Sequence, residues 1–123
     1  MTYILRLWIL LLVLPAAVGC ALKTAPGDIA LTVGEMALAL DTAEQAAFEG
    51  KLYNEARHAM LSKHVLRVLL GARAFERAVR AGGDGLVEQR ELVTVLDDVA
   101  KATIDVPPLA TAVLALQRFL GGT

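Results

Sequence analysis

The stretch LSKHVLRVLLGARAFERAV, residues 61–79, decides the fold. Leu61, Val65, Val68, Ala72, Phe75 and Val79 recur at spacings of four, three, four, three and four. That is one apolar stripe on a helix of 3.6 residues per turn. A strand would alternate with period two, and no segment of the chain does so for long. A helix with a single apolar stripe must lay it against other elements, so the flanking sequence has to supply them.

Upstream, the same pattern reaches back to Asp41 and Thr42. Each reads as a helix N-cap, with Glu44 and Gln45 three residues later as capping-box partners. From there to Ala81 there is no proline, and only Gly50 and Gly71 interrupt. Gly50 is where this span divides if it divides, since an interior glycine costs about 1 kcal/mol relative to alanine. Before it, Ile29, Val33, Met36 and Leu40 mark a first helix from about Asp28, itself a candidate N-cap, to Leu40. Downstream, Gly82-Gly83-Asp84-Gly85 is the sharpest break in the chain. A third helix follows from Leu86 to Thr103, with Leu92, Val95, Leu96 and Val99 inward. Asp105 is expected to cap a last helix that begins at Pro107 or Pro108. Its stripe is Leu109, Val113, Leu116 and Leu120, and Gly121-Gly122 ends it. The expectation is an all-α fold: a small helical bundle of about four helices, one of them long, occupying residues 28–123.

Residues 1–19 have a different character. Arg6 is the only charged side chain before Lys23, and Leu7 to Leu14 form an apolar run that Pro15 breaks. Small residues follow at Ala16, Ala17 and Gly19, and then comes Cys20. This is the layout of a secretory signal segment. The apolar run through Leu22 is about 16 residues, short of the ~20 that a spanning helix needs. The ending Ala17-Val18-Gly19-Cys20 resembles the lipobox of bacterial lipoprotein precursors. That resemblance implies cleavage before Cys20 and a thioether from its sulfur to a diacylglycerol, with the new amine acylated as well. At about 0.8 kcal/mol per buried methylene, two or three acyl chains make such an attachment effectively permanent. In the same family an Asp just after the cysteine retains the protein in the inner membrane. Ala21 stands there instead, which implies the outer membrane, facing the periplasm. Residues 20–27 then read as a lipidated tether, with Pro26-Gly27 marking a turn.

Composition narrows the function classes. Hydrophobic residues make up 56% of the chain, and the formal net charge is −1. Loss of Arg6 with the signal segment leaves 11 basic against 13 acidic groups, about −2, which gives no reason to expect nucleic acid. With one cysteine, no internal disulfide can form, so the fold rests on packing.

Three constellations offer chemistry. The segment from Arg80 to Glu91 resembles the second half of an EF-hand calcium loop, with Asp84 at the fifth position, Gly85 at the obligatory turn and Glu91 at the twelfth. Arg80 and Gly82 occupy the first and third positions, where the metal needs oxygens, so a helix connector is the expected role. Glu55-Ala56-Arg57-His58 supplies one Glu-x-x-His unit, half of what a carboxylate-bridged di-iron bundle requires. An i, i+3 surface pair is expected there. His64 lies about 120° from His58 around an ideal helix. Ser62, the only serine, is one turn beyond His58, but no acidic group is fixed beside them. Between Lys51 and Arg80 seven basic residues face only Glu55 and Glu76, and Arg73, Arg77 and Arg80 share a face that is a candidate binding surface.

The expected function is that of a non-catalytic, membrane-anchored envelope lipoprotein. It would carry no cofactor beyond the covalent lipid on Cys20 and would act on an envelope protein partner as an assembly, adaptor or exclusion factor. In size, anchor and helix content it looks like the small helical lipoproteins that escort secretins to the outer membrane, a likeness at the level of the fold alone. One alternative is a metal-dependent sensor or enzyme built on the 80–91 turn or on Glu55 and His58. Another is attachment to anionic lipid or cell-wall polymer through the basic helix 51–80.

Overall fold

The computed structural model describes residues 26–121, all of which fall in four helices and their connections. Helix α1 spans Pro26–Glu49, α2 Glu55–Arg80, α3 Leu86–Thr103 and α4 Pro107–Gly121. Each helix packs on two neighbours, in the cyclic order α1, α2, α3, α4 and back to α1. Short connections make consecutive helices antiparallel, so this is an up-down-up-down four-helix bundle. The start of α1, the α2–α3 loop and the end of α4 lie at one pole. The α1–α2 and α3–α4 connections lie at the other. No helix among the described residues is long and apolar enough to cross a membrane.

The stripes pack inward, with Val79 and Val95 only half-buried at their edges. Leu61, Val65, Val68, Ala72 and Phe75 of α2 are buried, as are Leu92, Leu96 and Val99 of α3 and all four of Leu109, Val113, Leu116 and Leu120 of α4. On α1 the fully buried line is Ala30, Val33, Ala37, Leu40, Glu44 and Ala47, with Ile29 and Met36 only flanking it. Gly71 lets α2 approach α3 closely: a Cβ there would stand 2.9 Å from Cδ1 of Leu92.

Helix boundaries depart from the sequence expectation at four places. The span from Asp41 to Ala81 is not one helix. The first helix runs through Asp41 and Thr42 to Glu49, so neither is an N-cap; Thr42 Oγ1 donates to the Leu38 carbonyl and Gln45 Nε2 to the Asp41 carboxylate. The break follows Gly50, in a Schellman motif where Lys51 N donates to Phe48 O and Leu52 N to Ala47 O. The left-handed residue is Lys51 at φ +61, not the glycine before it. The true N-cap of α2 is Asn54, whose Oδ1 accepts from Arg57 N at 2.9 Å. At the start of the bundle, Pro26 and Gly27 are helical rather than a turn, which puts Asp28 in the first turn of α1 instead of at its cap. Proline is well suited to the first helical position, because its missing N–H has no partner there in any case. Finally, Asp105 does not cap α4: Val106 precedes Pro107, and the Asp105 carboxylate faces Arg57.

Candidate functional site

Glu44 occupies a core position of α1, at the spacing of its alanine and leucine neighbours, and only 1% of it is exposed. A buried carboxylate must be satisfied by donors or it costs several kcal/mol. Two side chains of α2 supply them. Ser62 Oγ donates to Glu44 Oε1 at 2.7 Å, and His58 Nδ1 lies 2.6 Å from Oε1 and 3.1 Å from Oε2. Rings close over the pair. Phe48 stacks on the His58 imidazole with centroids 3.9 Å apart and planes 8° from parallel, and Tyr53 stacks on Phe48. The Tyr53 hydroxyl donates to the Glu44 backbone carbonyl at 2.9 Å.

This cluster brings together what the sequence left apart. His58 and Ser62 do meet an acidic residue, and it is Glu44, from the preceding helix. Glu55, expected to pair with His58, sits exposed in the first turn of α2, so the Glu55/His58 unit is not formed. The orientation also decides the chemistry. A serine–histidine–acid relay needs the carboxylate on one ring nitrogen and the serine on the other. Here both approach Nδ1, the serine at 3.5 Å, and its proton is directed to Glu44. The three side chains therefore lack the relay order of such a triad, and they tie α1 to α2. His64 stays out of it; its Nδ1 is buried and has no hydrogen-bond partner among the described residues.

Burial, and then the charge of Glu44, push the Tyr53 phenol up from 10.0 to about 12. The folded value exceeds the unfolded one, so its contribution to stability is complete below pH 10 and is lost as the pH rises through 12. Urea midpoints measured between pH 9 and 12 should therefore fall more steeply for the wild type than for Tyr53→Phe. Parallel curves would show that the phenol is not held in this cluster.

Beside it, Arg57 spans from α2 to the α3–α4 connection. Its Nη1 donates to Asp105 Oδ2 at 2.6 Å and its Nη2 to the Ala102 carbonyl at 3.1 Å. The guanidinium holds the Asp105 carboxyl below its ordinary value. Two more of the seven basic residues have partners: Arg67 with Asp98 of α3 at 3.6 Å, and Arg80 with Glu76 at 2.7 Å. The face of Arg73, Arg77 and Arg80 is thus less free than its sequence indicates. Arg73 and Arg77 are exposed and have no ion pair among the described residues, whereas Arg80 is engaged.

The α2–α3 loop is built as a connector. Gly82 N donates to Val79 O and Gly83 N to Ala78 O, a second Schellman motif with Gly82 left-handed at φ +93. The Asp84 carboxylate accepts from Leu86 N at 3.1 Å, which satisfies one of the free donors at the start of α3. Glu91 lies on the exposed face of α3. Among the described residues no three histidine, cysteine, aspartate or glutamate side chains gather as a metal would need. Cys20 and residues 1–19, the expected signal segment, lie outside the described residues.

An open groove with a volume of about 210 Å³ lies between α1 and the second half of α2. Leu31, Gly34, Glu35 and Leu38 form its α1 wall. Leu69, Ala72, Arg73 and Glu76 form the other. Leu31 and Leu38 are more than half exposed, as are Leu66 and Leu70 just outside it on α2. Glu35 and Arg73 have no ion pair among the described residues. No family model matches the chain, and comparison with curated proteins and with solved structures gives no match either.

Proposed function

We propose that the chain is a lipid-anchored envelope protein that works by docking another protein on its α1–α2 face. The observation that carries this reading is the line of exposed leucines beside the groove. Single apolar residues are common on protein surfaces, but four large ones around one groove mark a contact surface. The anchor rests on the signal layout and Cys20, and α1 begins six residues beyond it. That spacing sets the pole bearing the start of α1 next to the membrane and leaves the helix faces standing away from it.

Cys20→Ala should stop incorporation of labelled palmitate and leave an unprocessed, larger precursor. Equal labelling of wild type and variant would remove the anchor. Docking has a separate test. Leu38→Asp changes an exposed position and should leave helicity and melting unchanged while abolishing crosslinks from a photoreactive group at Leu31 in intact membranes. Crosslinks that persist unchanged in the variant would place docking elsewhere.

A further inference from the structure

We infer that the occupant of the α1–α2 face is a second copy of this chain, packed parallel to the first; this deepens the docking reading and rests on it. Leu31, Glu35, Leu38 and Thr42 recur on α1 at i, i+4, i+7 and i+11, and all are exposed. Leu66, Leu70, Arg73 and Arg77 do the same on α2, and all are exposed. This is a second stripe on each helix, directed away from the bundle, with the heptad-like spacing that packs helices side by side.

The two stripes are matched in height and in charge. Ser62 meets Glu44, and Leu38 lines the groove with Leu69, so positions on antiparallel α1 and α2 whose numbers sum to about 107 share a level. Glu35 therefore stands level with Arg73, Leu38 with Leu70, and Thr42 with Leu66. A two-fold axis parallel to the helices sets α1 of one copy against α2 of the other at equal height. Each Glu35 then faces an Arg73, twice per dimer, and each Leu38 meets a Leu70. A two-fold axis across the helices would instead stack α2 on α2 and α1 on α1, so the stripe that carries Arg73 and Arg77 would meet an equally basic one and Glu35 would lose Arg73 as its partner. It would also point the two anchored ends in opposite directions. Only the parallel arrangement joins opposite charges and leaves both lipids on one membrane.

The test uses the full chain in its own membranes. Two differently tagged copies are co-expressed, one with Leu38→Cys and one with Leu70→Cys, and mildly oxidised. A disulfide between the two tags is expected, and far less from two Leu38→Cys chains or two Leu70→Cys chains. Introducing Glu35→Arg into both copies places four like charges in the contact and should cut the yield on the order of tenfold. Adding Arg73→Glu to both should restore it. No crosslink in any pairing, crosslinks chiefly between identical positions, or a yield indifferent to the charge reversals would overturn the inference. Loss of all three crosslinks while Leu31 still reaches a different protein would leave the docking reading standing and remove only self-association.

Discussion

Gly85→Val should lower the melting temperature by more than 15 °C, and two separate effects add to produce that loss. Gly85 sits at φ +70, where an L residue costs roughly 1–2 kcal/mol and a β-branched one more. It is also enclosed. A Cβ built there would lie 2.5 Å from Cε2 and 2.8 Å from Cδ2 of Phe75, and 3.0 Å from Cγ2 of Val79. Phe75 belongs to the core stripe of α2 and is only 3% exposed, so it cannot swing away without opening the core. Overpacking of that kind costs about 1–3 kcal/mol. The total of about 3–5 kcal/mol is a large share of the ~5–15 that holds a small domain together. A control separates the two causes. Gly82 has φ +93 with open space around its missing side chain, so Gly82→Ala should show the backbone term alone, a fall of about 5–10 °C. Gly85→Ala should exceed it. If circular dichroism at 222 nm gives equal melting temperatures for the two alanine variants, the contact with Phe75 contributes nothing.

The same loop shows why part of this fold was legible in the sequence and part was not. Four adjacent residues that include three glycines announce a turn, and the stripes on either side announce helices, because both signals are local. The buried residues of α2 and α4 follow from spacing alone, since a helix has one face to hide. The boundary between α1 and α2 is harder to read: Gly50 marks where the span can divide, but the signal for the break is spread over five residues. Asp41 and Thr42 have the side chains of N-caps, yet they lie mid-helix. The helix ends where Lys51, a residue with no preference for positive φ, takes the left-handed position. Asn54 is the readable signal, a capping side chain just ahead of Glu55 and four residues beyond Gly50. Arg57 reads as one of seven bases in a run, and nothing in that run says that it will reach across 48 residues to Asp105. Long-range pairs of this kind are fixed by how the helices stack, which a one-dimensional pattern does not carry.

Glu44 is the sharpest such case, and it should yield a large coupling energy with His58. Its place in the stripe 30, 33, 37, 40, 44, 47 is a core place, where a carboxylate is tolerated only with donors at hand. Glu44→Ala removes the acceptor of both Ser62 and His58 and opens a hole beside Tyr53, and should cost about 2–4 kcal/mol. His58→Ala removes one of two donors and unstacks Phe48, and should cost a similar amount, much of it from the carboxylate left under-satisfied. Once Glu44 is gone, that second penalty has no charge to act on. The double variant should therefore be destabilised by about 1–3 kcal/mol less than the sum of the two single ones. Glu44→Gln keeps the shape and an acceptor for Ser62 and presents an amide donor to a neutral Nδ1, so it should lose only about 1 kcal/mol. Urea unfolding of the wild type and these four variants at pH 7 measures all of these terms. Additive losses, or a Glu44→Gln variant as weak as Glu44→Ala, would mean that the stability of the α1–α2 pair comes from its apolar stripes, with the buried carboxylate merely tolerated between them.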